Sequence, residues 1–417
     1  MKILFVHQAF PGQYVHQINA LAKQHHHQIV GLGIHTPSRS VPKSVQYVRY
    51  KLNRGNSNEI HRWALDTESK AIRGEACATA ACKLREKGFY PDLICGHAGW
   101  GETLFLKDVF PQSKLLTYQE FFYNQDGFDS GFDHEYSQPD SWESRARTRM
   151  KTVSQMASLQ ASDWCITPTN FQHSSFPAAW KQRISVIHDG IDVSNILQAP
   201  ANKKLELDQG RVFTPDQQII TFVNRRVEPY RGCHTFIRAI PDIHQQNPQA
   251  EIVVVGSLKG VSYGRPCPEG EWVDHFMAEI KGCYDAKRLH FVGHLDYPSF
   301  LHLLRLSKAH VYLTYPFVLS WSLLEAMAAG CPIIGSRTAP VQEVIRDGKN
   351  GILVDFFSPK EVADAVNQVL REPGLSTELG RRAHLDIINH YSLQKCLPRH
   401  LALMELVAKQ GLPLAPN

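Results

Sequence analysis

The sequence has 417 residues, 43% of them hydrophobic and 20% charged, as in a soluble globular protein. Its length exceeds the roughly 250–300 residues at which one core usually stops growing, so two domains are expected. No apolar run reaches the roughly 18–20 residues that span a bilayer, and the net charge of +5 is accompanied by no helix-turn-helix, zinc-finger or RNA-recognition pattern, which argues against nucleic acid as a partner.

Residues 2–6 read as a buried first strand and not as a signal peptide, because no polar cleavage region with small residues follows; a cytoplasmic protein is expected. A loop containing Gly12 leads to a helix near 14–23 and a strand near 28–34. His25, His26 and His27 read as an exposed helix end. Residues 1–58 carry seven Lys/Arg and no Asp or Glu: either a solvated basic face or a surface for an anionic membrane or acceptor. A long helical pattern covers 67–87, then come a strand at 92–95, another helix, and a strand at 114–118. Residues 141–161 are helical and basic on one face, and strands follow at 163–167 and 184–187. The polar stretch 198–217, with Pro200 and Pro215, reads as the approach to a second domain. Strands then recur at 219–223, 251–255, 290–292, 309–313, 332–335 and 351–354, and 359–409 reads as successive helices. Strands alternating with helices predict parallel, doubly wound α/β sheets. The nine Cys form no CxxC and no paired framework, so they read as small buried hydrophobes in a reducing compartment, with no structural metal.

Open α/β sheets bind ligands beyond the carboxyl ends of their strands, so the residues just after strands carry the functional information. Arg225, Arg226 and Arg231 follow one strand and precede Gly232 and a helix. Guanidinium forks at a helix start suit a diphosphate, although arginines on a surface loop would look the same. After the strand at 309–313, the run Leu319-Ser320-Trp321-Ser322 opens a helix whose free N–H groups favour an anion. Glu325 lies in that helix between Leu324 and Ala326, an apolar setting for an idle charge, and could hold two ribose hydroxyls. In the first half, His97 follows a strand among Gly96, Gly99 and Gly101, which imply close backbone approach. Glu120 and Tyr123 precede an aromatic-acidic loop. They are acceptor-binding candidates, with a solvated loop as the equal alternative.

Arg225 and Arg231 before Gly232, the runs ending in Gly256 and in Gly293-His294, and the segment Leu323-Leu324-Glu325 through Gly330-Cys331-Pro332 together resemble the nucleotide-binding domain of glycosyltransferase family 4, the glycosyl transferases group 1. The resemblance runs through 219–355 and is looser in the first half. It implies the GT-B fold: two Rossmann-like doubly wound domains facing a cleft, with C-terminal helices crossing back to the first. Residues 1–205 would form the acceptor-binding domain, 206–390 the nucleotide-sugar-binding domain and 391–417 the returning helix. It implies a retaining, metal-independent hexosyltransferase with no cofactor. The donor would be a nucleoside diphosphate sugar, UDP being expected ahead of GDP, and the acceptor a carbohydrate, lipid-linked or small-molecule hydroxyl. Arg225 and Arg231 would grip the diphosphate, with Arg226 as the alternative to Arg225. Glu325 would bind ribose, the backbone at 319–322 phosphate, and Gly256, Gly293 and His294 would lie near the base. Gly12 would belong to a shortened glycine loop near the phosphates, and His97 would approach the donor sugar. One departure stands out. The family's first glutamate, separated from the second by seven intervening residues, contacts donor-sugar hydroxyls, and its position here is Phe317. That keeps open a non-catalytic nucleotide-sugar-binding partner of a transferase. A nucleotide-sugar epimerase is the other rival. A dinucleotide dehydrogenase is disfavoured because no GxGxxG follows the first strand.

Overall fold

Five short apolar runs in the first half become strands because their side chains can be buried on both faces. In the computed structural model, which describes residues 1–37, 41–137 and 139–409, they are β1 (Lys2–Val6), β2 (Gln28–Gly33), β4 (Leu93–His97), β5 (Lys114–Tyr118) and β6 (Trp164–Thr167). With β3 (Val45–Arg49) and β7 (Ile184–Val186) they form a parallel sheet ordered β3-β2-β1-β4-β5-β6-β7. Alternation along β1 shows the layering. Ile3 and Phe5 pack in one core with Leu403, Met404 and Val407 of the C-terminal helix Leu393–Ala408. Leu4 and Val6 pack in the other with Ala76, Cys77, Ala80 and Leu84 of the helix Leu65–Glu86.

The second half repeats the plan. Strands β10 (Gln218–Arg226), β11 (Ala250–Ser257), β12 (Leu289–Gly293), β13 (Ala309–Tyr312), β14 (Ile333–Ser336) and β15 (Ile352–Val354) form a parallel sheet ordered β12-β11-β10-β13-β14-β15. An antiparallel hairpin, β8 (Leu205–Leu207) with β9 (Arg211–Phe213), covers one side. Leu205 and Phe213 bury against Ile219 and Val253. In each sheet the chain order reverses beside the first strand, between β1 and β4 and between β10 and β13. Such switch points open a crevice at the strands' carboxyl ends.

The chain divides into two compact units, residues 1–189 with 396–417, and residues 190–395. The division falls at Asp189/Gly190, where the sequence suggested 205/206. The physical reason is the helix Val193–Gln198, whose Val193 and Ile196 are buried with Leu323, Leu324 and Met327 of the second unit. The return to the first unit is at Cys396, where 391 was expected, and 410–417 of the expected terminal segment lie outside the described residues. The helical stretch 141–161 is two helices, Trp142–Lys151 and Val153–Ala161, joined at Thr152.

Three of the basic residues of the N-terminal segment can be placed from the strands and ion pairs. Lys2 begins β1 while Arg49 ends β3, at opposite ends of parallel strands, and Arg54 pairs with Glu68 at 2.8 Å. Arg39 lies outside the described residues. No helix among the described residues is long and apolar enough to cross a membrane.

Candidate active site

In the second unit, β13 delivers Tyr312 and the following Thr314 to the switch point, and both are fully covered. There they hold Arg231, which is 6% exposed. Its Nη1 donates to the Tyr312 hydroxyl (3.1 Å), to Thr314 Oγ1 (2.7 Å) and to the Val318 carbonyl (3.1 Å). Arg231 closes a short 3₁₀ turn, Pro229–Arg231, whose exit is Gly232 at φ +67°. A Cβ there would come within 2.4 Å of Leu313 Cβ, so the tight approach of turn to strand requires glycine.

The helix Trp321–Ala329 starts beside this cation. Ser320 caps it by accepting from Ser322 N–H (3.3 Å), while its own N–H donates to the Tyr312 hydroxyl (2.9 Å). Tyr312 therefore connects the Arg231 guanidinium to the helix start. The first-turn N–H groups of a helix lack intrahelical acceptors and favour an anion. Leu319 is buried in the core and Trp321 packs half-buried against it, so these two side chains anchor the run. Glu325, one turn on, is 8% exposed and accepts from the Tyr297 hydroxyl at 2.8 Å.

The other expected residues of this unit separate in their surroundings. Arg225 and Arg226 do not follow the strand; they end β10 itself, beyond a register shift against β11. Arg225 is exposed. Arg226 donates to the Lys259 carbonyl and so serves the loop after β11. Gly256 has φ +138°, and a Cβ on it would lie 2.4 Å from the Asn224 carbonyl oxygen; close strand approach explains this glycine without a ligand. Gly293, at φ +68°, ends β12 with open space at its Cβ position, and His294 beside it is exposed. Phe317 is 3% exposed and packs edge-on against Tyr230 (5.2 Å between centroids) and Tyr263 (5.3 Å).

In the first unit, His97 is the last residue of β4 and is 1% exposed. Gly99 N–H donates to its Nδ1 at 3.0 Å, which places the ring proton of the neutral imidazole on Nε2. Burial, reinforced by the nearby His7, holds the imidazole well below its usual pKa. Its ring stacks on Trp100 (4.0 Å, 22°) and on Tyr118 (5.2 Å). Nε2 has no hydrogen-bond partner among the described residues and lies 4.0 Å from Glu120 Oε2, beyond hydrogen-bond range. Two expectations from separate motifs, His97 and Glu120, thus meet. Tyr123 stands apart, with Lys151 Nζ 3.9 Å from its ring centroid. Gly12 has φ +53°, and a Cβ on it would fall 2.4 Å from His7 ring atoms.

His7 was not anticipated. It immediately follows β1, is buried down to a pKa of about 4, and meets Trp100 edge-on at 4.9 Å. Its signal was the one that marked His97: a histidine immediately past a parallel strand.

Residues 16–196 match the family described as "Glycosyl transferase family 4 group", and residues 204–386 match "Glycosyl transferases group 1". The chain belongs to glycosyltransferase family 4. Among curated members, Bacillus subtilis spore coat protein SA is 25% identical over 237 residues, 56% of this chain and 61% of that protein, so the chain spans about three-fifths of that relative's length. Among solved structures, sucrose-phosphate synthase from Thermosynechococcus elongatus superposes with a TM-score of 0.69 at 17% identity, covering 98% of this chain and 100% of that one. Anabaena HepE in complex with UDP superposes with a TM-score of 0.66 at 15% identity, covering 97% and 100%. These likenesses establish the GT-B fold for this family 4 chain.

Proposed function

We propose that the protein is a retaining glycosyltransferase that moves a hexosyl unit from a nucleoside diphosphate sugar to an acceptor hydroxyl. The observation that carries this reading is the buried Arg231 guanidinium, held by Tyr312, Thr314 and Val318 beside the Ser320-capped helix that bears Glu325. A fixed cation beside a helix N-terminus, where the helix dipole favours negative charge, fits a diphosphate, and a covered carboxylate one turn further fits ribose hydroxyls. Both family matches support the reading, and so does the UDP bound to the HepE neighbour, which favours a UDP-sugar. Positive charge at the leaving diphosphate stabilises its departure without a metal. Front-face attack lets a departing phosphate oxygen take the acceptor's proton, so no protein base is required. The C1–O bond to the diphosphate breaks and the C1–O bond to the acceptor forms on the same face.

The test is release of nucleoside diphosphate from UDP-sugars with candidate carbohydrate and lipid-linked acceptors, with the product's anomeric configuration read by NMR. An inverted product would exclude the retaining route. Phe317 favours one second reading, a non-catalytic sugar-nucleotide-binding partner. Tight UDP binding with no turnover across donors and acceptors would select it. The seven Lys/Arg and no acid of residues 1–58 suggest a contact with an anionic membrane. Salt-sensitive co-sedimentation with anionic vesicles, and none with neutral ones, is its test.

A further inference from the structure

The segment between β11 and the helix Trp272–Glu279 is a preformed wall beside Arg231. Glu228, buried and next to the Pro229–Arg231 turn, accepts from three successive backbone groups of that segment: Ser262 N–H to Oε1 (3.1 Å), and Tyr263 N–H (3.3 Å) and Gly264 N–H (2.9 Å) to Oε2. A Cβ at Gly264 would lie only 3.2 Å from that oxygen, so the approach is close. Further bonds fix the flanks: Gly260 N–H to Glu271 Oε2 (2.7 Å) and Trp272 Nε1–H to the Arg265 carbonyl (2.8 Å). The result is that Tyr263, 41% exposed, stands with its ring centroid 5.1 Å from the Arg231 guanidinium and in front of the buried Phe317.

A phosphate held by Arg231 puts its attached sugar within about one ring width of that guanidinium, where Tyr263 stands. The wall there is aromatic: Tyr263 in front, Phe317 and Tyr230 behind. Phe317 offers no acceptor to a sugar hydroxyl, and a hydroxyl turned to such a surface loses its hydrogen bonds to water without replacement. We propose that Tyr263, positioned by Glu228, is a donor-sugar-contacting residue, and that the wall selects a nucleotide sugar turning an apolar group to it, the methyl of an N-acetyl or a deoxy position, over a fully hydroxylated hexose. This rests on the diphosphate reading of Arg231.

Calorimetry on the full chain with UDP, UDP-glucose and UDP-N-acetylglucosamine separates the two. The wild type is expected to bind UDP-N-acetylglucosamine about tenfold more tightly than UDP-glucose, the scale on which one apolar contact discriminates. Tyr263→Ala is expected to abolish that ratio, with UDP titrated alongside because the Tyr263 ring also lies against Arg231. Glu228→Gln keeps the shape but turns one acceptor group into a donor facing N–H groups, and should shrink the ratio in the same direction. Equal affinity of the two sugars in the wild type, a ratio unmoved by Tyr263→Ala, or tighter binding of both sugars to Tyr263→Ala would overturn the proposal while UDP still binds. A ratio unmoved by Glu228→Gln alone would remove Glu228 from it. Failure of UDP to bind the wild type would overturn the diphosphate reading and this inference with it.

Discussion

Replacing Arg231 with alanine removes a cation whose position is fixed by three acceptors, so its effect on diphosphate binding can be anticipated. Nη1 is already committed to Tyr312, Thr314 and Val318. Binding a ligand there costs the bound state little side-chain ordering, because the rotamer is already set. A hydrogen bond to a charged group contributes about 1.5–3 kcal/mol, so Arg231→Ala should weaken nucleoside diphosphate binding by roughly 10- to 150-fold. Arg231→Lys should recover part of the loss, because it keeps the charge but not the planar fork. The assay is calorimetric titration with UDP, with circular dichroism to establish that each variant is folded. The alanine variant leaves the Tyr312 hydroxyl and the Val318 carbonyl without this partner, so its melting temperature should fall as well. Arg225, exposed at the end of β10, should contribute less. Unchanged UDP affinity in both Arg225→Ala and Arg231→Ala would refute the diphosphate assignment.

Three further outcomes are expected. His97→Ala should lower kcat by about 10²-fold or more while the nucleoside diphosphate Kd stays nearly constant, if the proposed contact of its Nε2–H, which lacks a hydrogen-bond partner among the described residues, is with the reacting sugar; normal turnover would make it a core histidine. Transfer should continue in EDTA, since the arginine cation takes the place of a metal at the diphosphate; complete loss restored by manganese or magnesium would contradict this. Stability should fall as pH drops below about 6.5. Burial holds His7 and His400 down to about 4 and His188 and His310 to about 3, so in that window the unfolded chain binds protons that the folded chain refuses. Each such histidine weakens folding by up to about 1.4 kcal/mol per pH unit, and denaturant midpoints that do not move between pH 7 and 5 would count against it.

Much of this architecture could be read directly from apolar runs. Strands such as Lys2–Val6 and Ala309–Tyr312 are buried on both faces and therefore stand out. Val45–Arg49 was overlooked because an edge strand with Gln46 and Arg49 exposed lacks that signature. The compact units divide ahead of the polar stretch marked by Pro200 and Pro215, because Ile191, Val193 and Ile196 join the second core. Glu325 was legible from its apolar neighbours. The spacing of Arg226 suits a phosphate ligand, while the register shift in β10 and its bond to the Lys259 carbonyl could not be read from spacing. Glu228 left no signal, because its partners lie 34 to 36 residues away and are backbone groups, which carry no sequence identity. Phe317 was visible as a departure in spacing, but its edge-on packing with Tyr263 depends on the wall that Glu228 holds.

The measurement that bears most directly on the central claim is a thermal-shift series on the full chain with UDP, GDP and their sugars, run in EDTA. Ligand that binds only the folded state at 100 times its Kd adds about 2.7 kcal/mol of stability. The account predicts that UDP or a UDP-sugar raises the melting temperature without metal, and that Arg231→Ala abolishes the shift at the same concentration. No shift with any nucleoside diphosphate or nucleotide sugar, or a shift that survives in Arg231→Ala, would contradict it.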